Sequence, residues 1–205
     1  METNIIPPQT EGKQFDFQVN LTLPTREEAL DTFKRAYKRL LNPPVWHKLG
    51  GSLGGDFKLV GIAGNELDRL AKMGDLFQVD LPGPGPGVGG GYDWVRVDAV
   101  DDSANENGEE ELFAMRISPT VNPGSKDPAV AHFFKGSASS TFVIQRKGNE
   151  VCASYHGRNE MPNNATGNKV DNIRNTIVAA SAAMGLSEIQ WKSLVKAFLE
   201  PEIGG

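Results

Sequence analysis

The sequence predicts an α+β fold built on an antiparallel sheet. Apolar and polar residues alternate strictly along residues 14–23, which is typical of a strand with one buried and one wet face. Residues 139–160 contain two apolar runs that turn at 147–149, and this pattern predicts a hairpin. About seven strands are predicted, with helices gathered towards the two ends of the chain. That order favours an antiparallel sheet over alternating α/β layers.

The first helix is predicted directly after the first strand. Thr25 and Glu28 have the spacing of a capping box, and apolar residues then recur at helical spacing as far as Leu41. Prolines 43 and 44 end the helix because proline lacks a backbone donor. A short helix is predicted at 65–72, and further strands are predicted at 56–62, 75–81, 92–100 and 111–118.

Two helices are predicted to close the chain. The first runs from Val170 to Met184 and ends before Gly185, and the second begins with a capping box at 187–190. Its expected buried stripe consists of Ile189, Leu194, Val195 and Phe198. Residues 1–13 are predicted to form a loose arm, and residues 14–200 a single α+β domain.

The order of these elements is one strand, a helical insertion, a meander of strands and closing C-terminal helices. It resembles the order in helix-grip (START-like) domains. A curved sheet of about seven strands, closed by two C-terminal helices, would leave a cavity between the two layers. A small β-barrel with peripheral helices is the alternative architecture.

Composition restricts the classes of function. The net charge of −5 provides no general attraction to nucleic acid or to an anionic membrane surface. No apolar run approaches the ~20 residues that a membrane span needs, and the N-terminus lacks a signal-peptide pattern. We therefore expect a cytoplasmic protein without a nucleic-acid or membrane partner. Cys152 is the single cysteine, which excludes an intramolecular disulfide and a cysteine-based zinc site within one chain.

Residues 82–91 are rich in glycine and proline. Glycines 85, 87 and 90 have the G-x-G-x-x-G spacing, which binds a nucleotide when the glycines open a helix. A strand follows here, so we expect no nucleotide cofactor. The segment is predicted to be either a plain connection between strands or a flap over a cavity.

A dense polar cluster lies at 156–160, where the second strand of the hairpin ends. His156 and Glu160 could act as acid and base, Arg158 could clamp an anionic group, and Asn159 could contact a ligand. The alternative is a strand end whose charges face water.

Other candidate ligand contacts come from the strands and from one loop. Arg96, on the same strand face as Trp94, and Arg116 lie mid-strand, where such residues line either a solvated face or a pocket for an anion. His132 precedes two phenylalanines, which favours a buried structural role over contact with a ligand. The spacing of the histidines does not require a metal site, and we expect none.

These observations favour a non-enzymatic binding module. It would hold a small apolar or amphipathic ligand in a cavity between the sheet and the C-terminal helices. One alternative is an enzyme that uses His156 and Glu160 as acid and base, with Arg158 as an anion clamp. Another is a protein-interaction or assembly component with Tyr92, Trp94 and the proline-rich loop as an exposed apolar patch.

Overall fold

The computed structural model describes residues 4–50, 55–80, 86–103, 108–164, 169–173, 175 and 186–201. The strands are β1 (Lys13–Thr22), β2 (Asp56–Val60), β3 (Leu76–Asp80), β4 (Asp93–Asp102), β5 (Glu110–Pro119), β6 (Ser139–Lys147) and β7 (Glu150–Glu160). The helices are α1 (Arg26–Leu40), α2 (Trp46–Gly50) and α3 (Leu186–Leu199), and residues 169–173 and 175 are also helical. Short 3-10 turns lie at Pro43–Val45 and Gly87–Gly89.

The seven strands form one antiparallel sheet in the spatial order β1-β7-β6-β5-β4-β3-β2. The first strand therefore pairs with the last, and β1 and β2 are the two edges. Helices α1 and α2 connect these edge strands along the chain, and α3 follows the sheet. This is the element order expected from the resemblance described above. The predicted α+β class is confirmed, and because the described strands form an open sheet, the small-barrel alternative is wrong.

Local sequence signals account for most element boundaries. Thr25 caps α1 by accepting a hydrogen bond from the Glu28 amide at 3.1 Å, as the capping box predicts. The hairpin of β6 and β7 turns at Gly148, whose φ of 59° suits glycine. The predicted helix at 170–184 lies largely outside the described residues.

The predicted short helix at 65–72 is wrong. The amide of Leu67 donates to the Leu59 carbonyl at 2.9 Å, and the amide of Ala71 donates to Leu41 at 2.8 Å. These donors are therefore used in tertiary contacts. An isolated helix of eight residues is too short to be stable on its own, so tertiary hydrogen bonds decide the local structure.

Helices α1, α2 and α3 pack on one face of the sheet, which we call the inner face. Trp46 lies at the centre of this core, and its ring contacts four phenylalanines at centroid distances of 5.1–6.1 Å: Phe57, Phe77, Phe142 and Phe198. Its indole nitrogen donates to the Arg39 carbonyl at 3.0 Å, so the buried polar atom is satisfied.

The N-terminal arm, expected to be loose, packs against the opposite face of the sheet, which we call the outer face. Ile5 is buried in a small cluster with Leu112, Ala114 and Val143. Further along the arm, the amides of residues 10 and 11 donate to the Asn159 side-chain oxygen at 2.8 and 3.1 Å. Burial of an apolar anchor and these backbone contacts give the arm a defined position.

A buried ion pair joins β5 and β6. Arg146 and Glu111 face each other in the strand register and are both fully buried, with the Arg146 Nε bonded to Glu111 Oε2. Arg146 also donates to the carbonyls of Gly148 and Gly108 at 2.6 and 2.8 Å. The guanidinium thus ties the β6–β7 turn to the start of β5.

The Arg146→Met variant should lose about 3–5 kcal/mol of unfolding free energy in urea titrations, because Glu111 is left buried without its partner. The double variant Arg146→Met, Glu111→Leu should recover most of that loss. The neighbouring exposed pair of Lys147 and Glu110 provides the control, and Lys147→Met should change stability little. A double variant no more stable than the single one would contradict this account of the pair.

Candidate functional site

The polar cluster at the end of β7 is divided between the two faces of the sheet. Tyr155 belongs to the inner-face core, whereas His156 and Arg158 bond to Asp16 on the outer side of β1. A regular strand would place Glu160 on the same side as His156. Asn159 has a φ of 56°, and the β1–β7 register shifts at this point. This irregularity turns the Glu160 carboxylate to the inner face.

His156 and Glu160 are therefore not brought together. The Glu160 carboxylate accepts a hydrogen bond from the Tyr155 hydroxyl at 3.3 Å, and Ser140 lies 2.9 Å from the same hydroxyl. A Cβ added at Gly157 would lie 2.5 Å from Glu160 Oε1, so the carboxylate occupies the space that a side chain would fill. One substrate atom cannot contact groups on opposite faces of a sheet.

Three aromatic rings pack against the Tyr155 ring on the inner face. Trp191 of α3 stacks on the Tyr155 ring at a centroid distance of 5.1 Å, Phe142 packs edge-on at 5.2 Å, and Phe15 lies at 5.9 Å. Burial, followed by the nearby Glu160 charge, raises the pKa of the Tyr155 phenol well above its ordinary value. The phenol is therefore a neutral hydrogen-bond donor at physiological pH. We call these residues the Tyr155 site: Phe15, Ser140, Phe142, Tyr155, Glu160 and Trp191.

The first part of α3 borders the Tyr155 site. Phe198 and Val195 are buried against the sheet, whereas Trp191 is only partly buried. Lys192 lies 5.4 Å above the ring centre of Phe15. Ile189 was expected on the buried stripe but is 54% exposed. It precedes Phe198 by nine residues, which is two and a half helical turns, so the two side chains lie on opposite faces of the helix. The rim of the site therefore combines aromatic surface with a cation.

The described part of the glycine-proline segment is anchored to the helical residues at 169–173. The amides of Gly87 and Val88 donate to the Asp171 carboxylate at 3.0 and 3.4 Å. Trp94 donates its indole hydrogen to the Gly89 carbonyl at 2.9 Å. The backbone donors that could have met a phosphate are thus used by an aspartate of the same chain. Residues 82–85 lie outside the described residues.

His156 forms a hydrogen-bonded chain on the outer face. Its Nδ1 lies 2.6 Å from the Asp16 carboxylate, and its Nε2 lies 3.0 Å from the Ser154 hydroxyl. Arg158 binds the same carboxylate at 2.7 Å. The connectivity is that of a nucleophile, a base and an orienting acid. Ser154 is only 7% exposed, however, so we interpret the chain as a set of side-chain bonds that joins β1 to β7.

Sequence reasoning missed Asp16 and Ser154 as partners of His156. The alternation of β1 places Asp16 on the wet face, and Ser154 lies two residues before His156 on the same strand face. What the sequence did not show is that β1 pairs with β7, a contact between residues 140 positions apart. That pairing brings the two side chains together.

Arg96 and Arg116 meet on the outer face, beside Asp98. Arg96 binds the Asp98 carboxylate at 2.8 Å, and Arg116 Nε lies 3.9 Å from the other carboxylate oxygen. The two arginines line a pocket of about 220 Å³, together with Pro7, Asp98, Ser118 and residues 136–139. They therefore lie on the side of the sheet opposite the C-terminal helix and not in a cavity beneath it.

Three other residues predicted to contact a ligand pack against or bond to other parts of the chain. Trp94 is 5% exposed in a cluster under the 86–92 segment, so it cannot contribute to the exposed apolar patch expected for an assembly surface. His132 stacks on Phe133 at 4.2 Å, and its Nδ1 accepts the Phe134 amide at 3.0 Å. Asn159 binds the N-terminal arm.

Cys152 lies on β7, and burial raises the pKa of its thiol, which opposes thiolate chemistry. In the described ranges, no three His, Cys, Asp or Glu side chains are gathered as metal ligands would be. Among the described helices, none has the length and apolar character to cross a membrane.

Neither a protein-family model nor a curated protein matches this chain. Solved structures do match it. A hypothetical protein from Helicobacter pylori is similar at 10% identity and a TM-score of 0.47, over 96% of this chain and 97% of its own. A protein from Mycobacterium smegmatis is similar at 12% identity and a TM-score of 0.43, over 97% and 100%. Norcoclaurine synthase from Thalictrum flavum is similar at 13% identity and a TM-score of 0.38, over 96% and 100%.

The Asp16 carboxylate predicts a specific acid sensitivity. Burial by itself raises the pKa of Asp16, but hydrogen bonds from Gln14, Arg158 and His156 outweigh it and lower that pKa below its ordinary value. A lowered pKa means that Asp16 stabilises the fold above its unfolded pKa of about 3.9, and that this contribution is lost as pH falls towards the folded pKa. In urea titrations from about pH 5 downward, Asp16→Asn should therefore show a shallower loss of unfolding free energy than the wild type.

The control for this prediction is Asp68→Asn, since Asp68 lies in an exposed loop position. It should follow the wild-type pH dependence closely. Parallel curves for Asp16→Asn and the wild type throughout the acid range would show that the bonds to Asp16 contribute nothing.

Proposed function

We propose that the protein is a non-enzymatic binding module that holds a small amphipathic ligand at the Tyr155 site, between the sheet and α3. The observation that carries this proposal is the hydrogen-bonded set of Tyr155, Ser140 and Glu160, which is embedded in an aromatic wall. The apolar part of the ligand would pack on the rings, and its polar end would meet the carboxylate and the hydroxyl groups.

The position of the polar groups supports this interpretation. Burying a hydroxyl or a carboxylate among apolar groups costs free energy unless the group is hydrogen-bonded. An apolar side chain at position 155 would stack on Trp191 equally well, so ring packing alone does not explain the hydroxyl. A small number of placed polar groups in a mostly aromatic wall is typical of sites that orient a small ligand.

The chemistry of the polar end favours a ligand with a donor group. Glu160 accepts a hydrogen bond from Tyr155, and the two oxygens of a carboxylate can together accept several. An alcohol, phenol or amine on the ligand could donate to it. Lys192, above Phe15 at the rim, would favour an electron-rich aromatic or an acceptor group nearer the entrance.

A binding role is better supported than acid–base catalysis by His156 and Glu160. The two side chains face opposite sides of β7, and the His156 ring nitrogens lie against Asp16 and Ser154. Arg158, the expected anion clamp, is bonded to Asp16 and to the Gly157 carbonyl. These groups support the outer surface of the sheet and do not face the Tyr155 site.

Fluorescence titration with the neutral naphthalene probe Prodan tests the proposal. The wild-type protein should bind it saturably, with a blue shift of the probe emission because the aromatic wall is apolar. Trp191→Ala should weaken binding about tenfold, which equals roughly 1.4 kcal/mol, through loss of the stacked ring. Tyr155→Phe should weaken it about fivefold, the worth of one hydrogen bond.

Arg96→Ala is the matched control because it removes a large side chain from the outer face and should leave Prodan binding unchanged. Circular dichroism melts establish that each variant is folded at the temperature of the titration. Absence of saturable binding to the wild-type protein would refute the proposal. Equal affinities for the wild type and Trp191→Ala would show that the ligand does not lie at the Tyr155 site.

A further inference from the structure

The outer-face pocket beside Arg116 has the features of a second binding site. It has a volume of about 220 Å³ and lies between β4, β5, the start of β6 and the N-terminal arm. The sheet separates it from the Tyr155 site. We call it the Arg116 pocket, and the described residues that line it are Pro7, Arg96, Asp98, Arg116, Ser118 and residues 136–139.

Three polar atoms at this position are buried and have no hydrogen-bond partner in the described part of the chain. They are the Arg116 Nε, the Ser139 hydroxyl and the Thr141 hydroxyl. Thr141 is directly opposite Arg116 in the β5–β6 register, and Ser139 is two residues away on the same face. Four such side-chain atoms are found among the described residues, and the fourth belongs to Glu111. The unpartnered atoms are thus concentrated at one place.

All three atoms can donate a hydrogen bond, and one of them belongs to a permanent cation. A buried donor without a partner costs about 1–3 kcal/mol, and folded proteins satisfy nearly all such groups. Thr141 has no exposed surface and Ser139 is also buried, so bulk water does not reach these hydroxyls freely. A cluster of unpaired donors around a guanidinium is suited to an oxyanion.

The Asp98 carboxylate does not accept hydrogen bonds from these unpartnered donors. One of its oxygens binds Arg96 at 2.8 Å, and the other lies 3.9 Å from Arg116 Nε, which is beyond hydrogen-bond distance. Arg116 donates from NH1 to the Ile5 carbonyl at 3.2 Å. The lining therefore contains two guanidinium groups and one carboxylate, an excess of positive charge in a chain whose net charge is −5.

The N-terminal arm forms one wall of the pocket. Pro7 lines it, Ile5 provides a carbonyl to Arg116, and the arm is held by Asn159. Glu11 of the same arm accepts the Ser137 hydroxyl at 2.7 Å on an exposed part of the rim, so that carboxylate is engaged outside the cluster of donors. The arm therefore contributes directly to the lining of the pocket.

We propose that the Arg116 pocket binds a small oxyanion, a phosphate or a carboxylate group, through Arg116 Nε and the Ser139 hydroxyl, which line it, while the buried Thr141 hydroxyl lies behind them, opposite Arg116 in the strand register. Arg96 supplies a second cation at the open side. The planar guanidinium and the hydroxyl donor match the acceptor oxygens that both kinds of anion present.

Titration of the ¹⁵N-labelled full chain, followed through the arginine Nε–H signals, tests this proposal. Inorganic phosphate and acetate are added separately at ionic strength matched with sodium chloride, because screening alone shifts exposed arginines. The signal that is missing from Arg116→Met identifies Arg116. We expect this signal to shift saturably, with a dissociation constant in the millimolar range, while the Arg69 signal stays in place.

A saturable shift with phosphate alone or with acetate alone supports the proposal and identifies the kind of anion, and a shift with both supports a general oxyanion site. Ser139→Ala should weaken binding by about tenfold or more, through loss of one donor to a charged group. Arg69→Met, which removes an arginine paired with Asp75 elsewhere, should bind as the wild type does. If the Arg116 signal shows no saturable shift with phosphate or with acetate, the proposal is overturned, and these donors bind water only. Prodan binding is measured separately, so failure here leaves the Tyr155 site untouched.

Discussion

The alternation of side chains along seven antiparallel strands determines what each face of this protein can do. Rings from six of the seven strands and from three helices fill the inner face around Trp46, and polar groups lie on the outer face beneath the N-terminal arm. A shift of one residue in any strand would exchange these two sets of side chains. The aromatic core and the buried pair of Arg146 and Glu111 therefore secure the register on which both candidate sites depend.

The β7 strand shows how a small departure from this alternation creates a site. Up to Arg158 the side chains follow the regular pattern, and the left-handed conformation of Asn159 then interrupts it. Asn adopts this conformation more readily than most residues, and here its side chain is held by the arm. As a result, Glu160 joins Tyr155 on the inner face. Asn159 therefore links the N-terminal arm to the polar end of the Tyr155 site.

Local sequence signals predicted the fold well because they act over a few residues. The capping box at Thr25, the alternation of β1 and the turn at Gly148 all lie where the patterns indicate. The candidate sites were less predictable because they depend on contacts between distant residues. The hydrogen bond between Asp16 and His156 forms only because the first and last strands pair. His156 and Glu160 lie on opposite faces only because the register shifts at the end of β7. The structure of residues 65–72 also depends on distant contacts, because their backbone amides bond to Leu59 and Leu41 and not within a helix.

Nuclear Overhauser contacts between bound Prodan and the assigned ring protons of the protein would locate the ligand directly. If a small amphipathic ligand lies between the sheet and α3, the probe should contact Trp191, Tyr155 and Phe15. Contacts confined to outer-face residues such as Val143, or saturable binding without any contact to the Trp191 ring, would contradict this placement of the ligand.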